Sequence, residues 1–225
     1  MKAYAITDIG KKRSFNQDYA WMTTDEIGKL PNLFIVADGM GGHRGGGYAS
    51  RLAVETILNA KKIYVIGIRS CAPLASFLGF YLNLICDNVV AVHTNSSSEI
   101  FEQLIRIDED DVIIGISFPR YSMRTLKALE FASNRKAKVI TLTDSVNSPM
   151  NLYSSCNLIA KSDMASIVDS LVAPLSVINA LVVALCMKKQ DDVIETLETL
   201  EDIWDEYQVY SRDELEPVED EVRIK

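Results

Sequence analysis

The sequence predicts an α/β fold built on a parallel sheet over most of its length. From residue 63 onward, short apolar runs rich in β-branched residues alternate with longer stretches of helical periodicity. Alternation of this kind is typical of right-handed strand–helix–strand units, which place their strands parallel in one sheet. With 48% apolar and 24% charged residues, the chain of 225 residues can also bury a sizeable core.

Each element of this sheet has its own signal. The predicted strands are apolar runs too short for helices, over residues 63–66, 89–92, 112–116, 139–142 and 158–159. Helical periodicity predicts a helix ending near Cys86 and further helices over about 98–106, 123–135, 166–188 and 191–207. Upstream, the pattern predicts short strands and then one helix, over residues 3–8, 19–23, 33–36 and 47–61.

Composition excludes some function classes. A net charge of −8 argues against direct nucleic-acid binding, because phosphate contacts need a basic face. The four cysteines lie far apart and without metal-ligand spacing, which indicates reduced thiols in a cytoplasmic protein. The N-terminus has no apolar signal core. Residues 171–187 carry no charge, but Pro174, Asn179 and the charges close on either side favour a buried helix over a membrane span.

One stretch, residues 111–125, organises the second half of the chain. A buried strand breaks at Ser117 into hydroxyls and a cation, and a helix then begins near Met123. Free backbone N–H groups and the positive end of the helix dipole make such a turn a good anion site. An ordinary strand–helix turn with Ser122 as the N-cap explains the same residues, and this stretch alone does not separate the two interpretations.

Polar residues follow the other predicted strands as well. They are Arg69-Ser70, His93-Thr94 and Thr143-Asp144. The carboxyl edge of an open parallel sheet is where ligands bind. If the strand order is 2-1-3-4-5, the first and third strands are neighbours, and the Arg69-Ser70 loop converges with Ser117–Ser122 on one crevice. Arginines in such a crevice suit bidentate recognition of phosphate.

The segment from Ile63 to about Met187 resembles the sugar isomerase (SIS) domain of RpiR-type transcriptional regulators. The resemblance rests on residues 65–72, 116–125, 140–145 and 169–180. It implies a flavodoxin-like αβα sandwich, a phosphosugar effector, dimerisation and a sugar-phosphate site formed by Arg69, Ser70, Cys71, Ser117, Arg120, Ser122 and Asp144. The family's phosphate loop reads Ser-x-Ser-Gly-x-Thr, and here Pro119 and Arg120 replace its middle Ser-Gly. The helix-turn-helix that precedes this domain in such regulators is not visible.

Residues 3–58 resemble the opening of metal-dependent (PPM) serine/threonine protein phosphatases. The resemblance rests on residues 13–18, 37–43 and 49–50. It implies a phosphate-binding Arg13, a manganese or magnesium centre at Asp18, Asp38 and the Gly39 carbonyl, and His43 as a proton donor. Gly47 stands where the family usually has Glu, and the later Asp-Gly and Asp-Asn motifs are missing. An incomplete two-metal site predicts a phosphatase fragment without activity. This fragment is joined without a linker to the downstream part of the chain, as in a chimera.

These patterns divide the chain into residues 1–60, 61–190 and 191–225. We expect a phosphosugar-binding sensor that performs no chemistry and needs no cofactor, with Asn95, Ser96 or Asp144 contacting sugar hydroxyls. The alternatives are a protein phosphatase and a phosphosugar isomerase, whose base would be His93, Asp144 or Asp169. A homodimer is expected through the helices of the second unit. The acidic amphipathic helix at 191–207 fits packing on its own domain or a dimer contact equally well.

Overall fold

The computed structural model of the chain describes residues 19–23, 33–37, 46–93, 96–162 and 170–210. Two N-terminal strands, β1 (Tyr19–Thr23) and β2 (Leu33–Ala37), pair antiparallel with Tyr19 opposite Ala37. The sequence predicts both strands. The strand predicted at residues 3–8 lies outside the described residues.

The main sheet has five parallel strands. They are β3 (Ile63–Gly67), β4 (Val89–Ala91), β5 (Val112–Ile116), β6 (Lys138–Thr143) and β7 (Cys156–Ile159). Their spatial order is β4-β3-β5-β6-β7, which is the predicted 2-1-3-4-5 order. The chain direction across the sheet therefore reverses between β3 and β5. Ligands of open α/β sheets bind at such a switch point.

Six helices accompany the strands in the described parts of the chain. They are α1 (Gly46–Leu58), α2 (Ala72–Ile85), α3 (Ser97–Leu104), α4 (Met123–Asn134), α5 (Val172–Lys188) and α6 (Gln190–Glu206). A 3₁₀ turn, Arg69–Cys71, precedes α2. The prediction that α5 begins near residue 166 is wrong, because residues 170 and 171 are not helical. Pro174 instead lies in the first turn of α5, where a missing N–H costs nothing.

The sheet is covered on both faces, because side chains alternate along each strand. Ile63 and Val65 join a cluster with α1, α2 and α5, whereas Tyr64 and Ile66 join a second cluster with α3 and α4. Every residue of β3 and β5 is buried. The flavodoxin-like αβα sandwich is confirmed.

Helix α1 belongs to this core although it precedes the predicted boundary at residues 60–61. Ala53, Val54 and Ile57 are buried in the cluster that α2 and α5 share. The thiol of Cys156 on β7 donates a hydrogen bond to the Ala49 carbonyl oxygen at 3.0 Å. The helix ends at Leu58 rather than near residue 61, since the Lys61 N–H already donates to Asp110 O at the start of the sheet (2.9 Å).

Among the described helices, none is by itself long and apolar enough to cross a membrane. Helices α5 and α6 pass that test only as a pair bent by 99°, on length and composition alone.

Replacing Ile57 by Ala tests the role of α1. Ile57 is 1% exposed, and truncating a buried Ile to Ala costs about 2–5 kcal/mol. We expect Ile57→Ala to lower the free energy of unfolding by that amount in urea denaturation followed by circular dichroism. The control is Glu55→Ala on the exposed side of the same helix, which should change stability by less than about 0.5 kcal/mol. Equal effects of the two substitutions would show that α1 is not part of the core.

Candidate functional site

Two loops leave the sheet side by side at its carboxyl edge. In the parallel register, Gly67 at the end of β3 pairs with Ile116 at the end of β5. The 3₁₀ turn Arg69–Cys71 follows the first strand, and residues 117–122 follow the second. The loops after β3 and β5 are therefore neighbours, as the sequence pattern predicts.

The loop after β5 is closed by its own serines. Ser117 is 3% exposed, and its Oγ accepts a hydrogen bond from the Ser122 N–H at 3.1 Å. Ser122 is the N-cap of α4, with its Oγ accepting from the Thr125 N–H at 3.4 Å. The N–H groups of Met123 and Arg124 have no hydrogen bond among the described residues. They point out of the first turn of the helix, as free N–H groups at a helix start do.

Arg120 keeps the backbone conformation of a glycine. Its φ is 63°, in the left-handed region that residues with a Cβ rarely adopt. The phosphate loop that this stretch resembles has Gly at this position. The loop shape is therefore retained with an arginine, at a steric cost of roughly 1–2 kcal/mol.

Arg69, in the loop after β3, also has its backbone in the left-handed region, with a φ of 59°. Arg69 and Arg120 are both exposed. In the part of the chain that the structure describes, neither guanidinium has a hydrogen bond or an ion pair. Two unneutralised cations on strained backbone thus stand at one edge of the sheet, a pattern common at functional sites.

Gly67 determines how closely the first loop folds back on its strand. A Cβ at this position would lie 2.5 Å from the carbonyl oxygen of Cys71. Cys71 itself is 5% exposed and packs in the core. Its thiol is therefore turned away from solvent, whereas the neighbouring Ser70 is exposed.

Asp144 is joined to the loop after β5 by a residue that sequence reasoning did not select. The Tyr121 hydroxyl donates to Asp144 Oδ1 at 2.7 Å, and Thr143 Oγ1 donates to the same oxygen at 3.2 Å. Burial, followed by the hydrogen bond to Asp144, raises the pKa of Tyr121, so the phenol stays protonated as a donor. The position of Tyr121 directly after Arg120 is the sequence signal that could have identified it as a site residue.

Thr125 is a second residue that the pattern did not single out. It is 0% exposed, and its Oγ1 has no partner within the described ranges. An unsatisfied buried hydroxyl costs about 1–3 kcal/mol. Thr125 lies in the first turn of α4, next to the Ser122 cap. The free-energy cost of its unsatisfied hydroxyl therefore falls beside the loop after β5.

A cavity of about 200 Å³ opens on the other side of β3, towards β4. Its lining includes Arg69, Ser76 and His93 together with apolar residues such as Val65 and Ala91. His93 is exposed rather than packed. Ser96, one of the predicted sugar-contact residues, forms a capping box with Glu99 at the start of α3.

Several predicted site residues lie outside the described residues. They are Arg13, Asp18, Asp38, Gly39, His43, Asn95 and Asp169. Within the described residues, no group of three His, Cys, Asp or Glu side chains is placed to hold a metal ion.

Comparison with known proteins gives one family and a consistent set of folds. The family model for the SIS domain matches residues 56–184. The sugar isomerase domain of an RpiR transcription factor from Sphaerobacter thermophilus superposes with a TM-score of 0.65 at 27% identity, covering 68% of this chain and 86% of that one. The Vibrio vulnificus NanR protein complexed with ManNAc-6P superposes with a TM-score of 0.61 at 20% identity, covering 70% of this chain and 61% of that one. At that identity NanR shows the fold alone.

Two kinds of curated relative match different parts of the chain. An uncharacterised HTH-type transcriptional regulator of Caldanaerobacter subterraneus is 27% identical over 158 residues, which are 67% of this chain and 54% of the relative. The protein phosphatase PhpP of Streptococcus pneumoniae is 46% identical over 57 residues, which are 25% of this chain and 22% of the relative. The chain thus spans about half of the regulator and about a fifth of the phosphatase.

Proposed function

The chain belongs to the SIS domain family, and from that membership we propose that residues 61–190 are the sensor of an RpiR-type regulator. The sensor binds a phosphorylated sugar and does no chemistry on it. The observation that carries the proposal is that two features lie at one sheet edge: the free N–H groups of Met123 and Arg124, and two arginines without a partner among the described residues. Such a site attracts a dianionic phosphate.

Each group in the loop after β5 has a definite part in binding. The N–H groups of Met123 and Arg124 donate to phosphate oxygens. Ser122 accepts from Thr125 and keeps its own O–H, which it can donate to the ligand. Ser117 is buried, so its main part is to hold the loop closed.

The remaining polar groups flank that loop on both sides, because β3 and β6 are the two neighbours of β5 in the sheet. Arg120 and Arg69 neutralise the phosphate charge, and Ser70 is exposed beside them. The Asp144 carboxylate is fixed through Oδ1 by Tyr121 and Thr143, which leaves Oδ2 to accept from a sugar hydroxyl. The ManNAc-6P complex of NanR, a protein with the same fold, supports phosphosugars as the ligand class.

A panel of sugar phosphates tests this proposal. In thermal shift and calorimetry, hexose, pentose and amino-sugar phosphates should bind, whereas their unphosphorylated parents should not. The double substitution Ser122→Ala/Arg120→Ala removes two contacts worth about 1.5–3 kcal/mol each, so affinity should fall about a hundredfold or more.

The matched control is Lys138→Ala, which removes an exposed cation at the opposite edge of the sheet. It should leave affinity unchanged. Equal losses of affinity in the double variant and in Lys138→Ala would show that the effect comes from the overall charge of the protein and not from contacts in the site. Absence of stabilisation by any phosphosugar at millimolar concentration would refute the sensor function.

We further propose that the N-terminal part has no phosphatase activity. The resemblance supplies only part of a two-metal centre, and catalysis at such a centre depends on both ions. With excess manganese and p-nitrophenyl phosphate, we expect no turnover above background. Manganese-dependent turnover that Asp38→Ala abolishes would contradict this part of the proposal.

We also propose a homodimer through α5 and α6. No residue of α6 is buried in the chain, and its Ile194, Leu197 and Ile203 are 45%, 43% and 42% exposed. Sedimentation should give a dimer at micromolar concentration, which Leu197→Asp/Ile203→Asp converts to a monomer. The control Thr199→Asp adds a charge at an exposed position of the same helix and should remain dimeric. A monomeric unmodified chain would overturn this assignment.

A further inference from the structure

The loop after β5 is held firmly at its ends and weakly at its tip. At one end, Phe118 is 5% exposed and packs in the core. At the other end, the Ser122 N–H donates to Ser117 Oγ at 3.1 Å. Between these ends lies the tip, where the N–H groups of Arg120 and Tyr121 form no hydrogen bond among the described residues. The tip therefore depends on its side chains for a fixed shape.

We propose that Tyr121 is the positioning residue that keeps this loop in the shape that binds phosphate, although Arg120 occupies a backbone conformation suited to glycine. The inference rests on the proposed phosphosugar site and goes beyond it by naming the residue that forms the site before the ligand arrives. It is carried by the left-handed backbone of Arg120, by the hydrogen bond of the Tyr121 hydroxyl, and by the buried network that fixes the acceptor of that bond.

Arg120 lies between a proline and a hydrogen-bonded tyrosine. Its φ of 63° is strained for a residue with a Cβ, and such a conformation persists only where the surrounding structure holds it. Arg120 itself forms no hydrogen bond or ion pair within the described part of the chain. Before it, the ring of Pro119 fixes the φ of that residue. After it, the Tyr121 hydroxyl donates to Asp144 Oδ1 at 2.7 Å, and this bond restrains the chain on the far side of the strained residue.

Asp144 is a firm anchor because a buried network fixes it. Thr143, at the end of β6, is 0% exposed, and its Oγ1 donates to Asp144 Oδ1 at 3.2 Å. Ser148 is 4% exposed, and its Oγ lies 2.9 Å from Thr143 Oγ1. Each hydroxyl has one proton, so the network is satisfied when Ser148 donates to Thr143 and Thr143 donates to Asp144. Because β6 pairs with β5, the Tyr121 hydrogen bond ties the loop to the sheet.

The shape of the tip determines where the phosphate contacts lie. Tyr121 directly precedes Ser122, the N-cap of α4, and the free N–H groups of Met123 and Arg124 follow that cap. A loop that leaves the left-handed conformation moves the cap relative to the Ser117 hydroxyl. Only the fraction of molecules with a closed loop then binds phosphate, and the apparent affinity falls in proportion to that fraction. Tyr121 thus acts on the ligand through the backbone.

Hydrogen exchange and titration of the full chain test this role. Exchange of the Ser122 amide reports closure of the free loop. Inorganic phosphate is the titrant, because it carries no sugar hydroxyl to contact Asp144, and the Met123 and Arg124 amides report its binding. Tyr121→Phe keeps the ring and removes the hydrogen bond. It should lower the protection of the Ser122 amide about tenfold and weaken phosphate binding by a similar factor.

A glycine at the strained position should remove this dependence. Glycine populates φ above zero about as readily as φ below zero, so a loop with Arg120→Gly needs no restraint there. Adding Tyr121→Phe to Arg120→Gly should therefore change Ser122 protection and phosphate affinity by no more than about twofold. Arg120→Gly also removes a charge, so each comparison is made within one background.

Tyr153→Phe is the matched control. Tyr153 is also half-buried, packs in the cluster with α3 and α4, and forms no side-chain hydrogen bond among the described residues. The substitution should leave Ser122 protection and phosphate affinity unchanged. Amides of the buried strand β5, such as that of Ile114, should keep their protection in every variant, which shows that each variant is folded.

The possible outcomes separate the positioning role from the phosphate site. The same loss on adding Tyr121→Phe in both backgrounds would overturn the positioning role, because the hydrogen bond would then act independently of the residue beside it. Unchanged Ser122 protection in Tyr121→Phe alone would also overturn it. If Ser122 protection follows the expected pattern but inorganic phosphate leaves the Met123 and Arg124 amides unshifted, Tyr121 still positions the loop, and the proposed phosphate site fails.

Discussion

The pairing of β3 with β5 is the contact on which the rest of the structure depends. All five residues of each strand are buried, and the register runs from Ile63 opposite Val112 to Gly67 opposite Ile116. Because this pair lies where the strand order reverses, the helices that follow β3 and β5 pack on opposite faces of the sheet, an arrangement that opens a crevice between the two loops. A one-residue shift in register would turn the core side chains to the opposite faces. The site and the core are thus fixed by the same hydrogen bonds.

Sequence reasoning recovers the sheet because buried parallel strands leave a strong local signal. Val112–Ile116 is a continuous β-branched run, and polar residues follow it at once. The Ser122 cap is equally local, since it depends on a serine three residues before the N–H it accepts. Helix ends are less well determined: α5 begins only at Val172, where Leu171 and Pro174 leave the preceding residues outside the helix.

Details of the site that depend on distant contacts could not be predicted. The Tyr121–Asp144 hydrogen bond joins residues 23 positions apart, and nothing in either neighbourhood specifies the partner. The left-handed Arg120 contradicts the usual preference for glycine, and only the fold around it holds that conformation. Cys71 looks like a loop residue in the sequence, yet the 3₁₀ turn directs it into the core. Likewise, α1 lies in the stretch whose sequence resembles the phosphatases, yet its side chains pack in the core of the SIS domain.

Nuclear magnetic resonance of the Met123 and Arg124 amides tests the central claim most directly. These N–H groups have no hydrogen bond among the described residues, so a phosphate bound at α4 should shift both proton signals strongly downfield. Titration with a hexose or N-acetylhexosamine 6-phosphate should move them saturably, and inorganic phosphate should move the same two signals more weakly. Saturable binding that leaves both amides unshifted, with changes elsewhere in the spectrum, would contradict the placement of the phosphate at the start of α4.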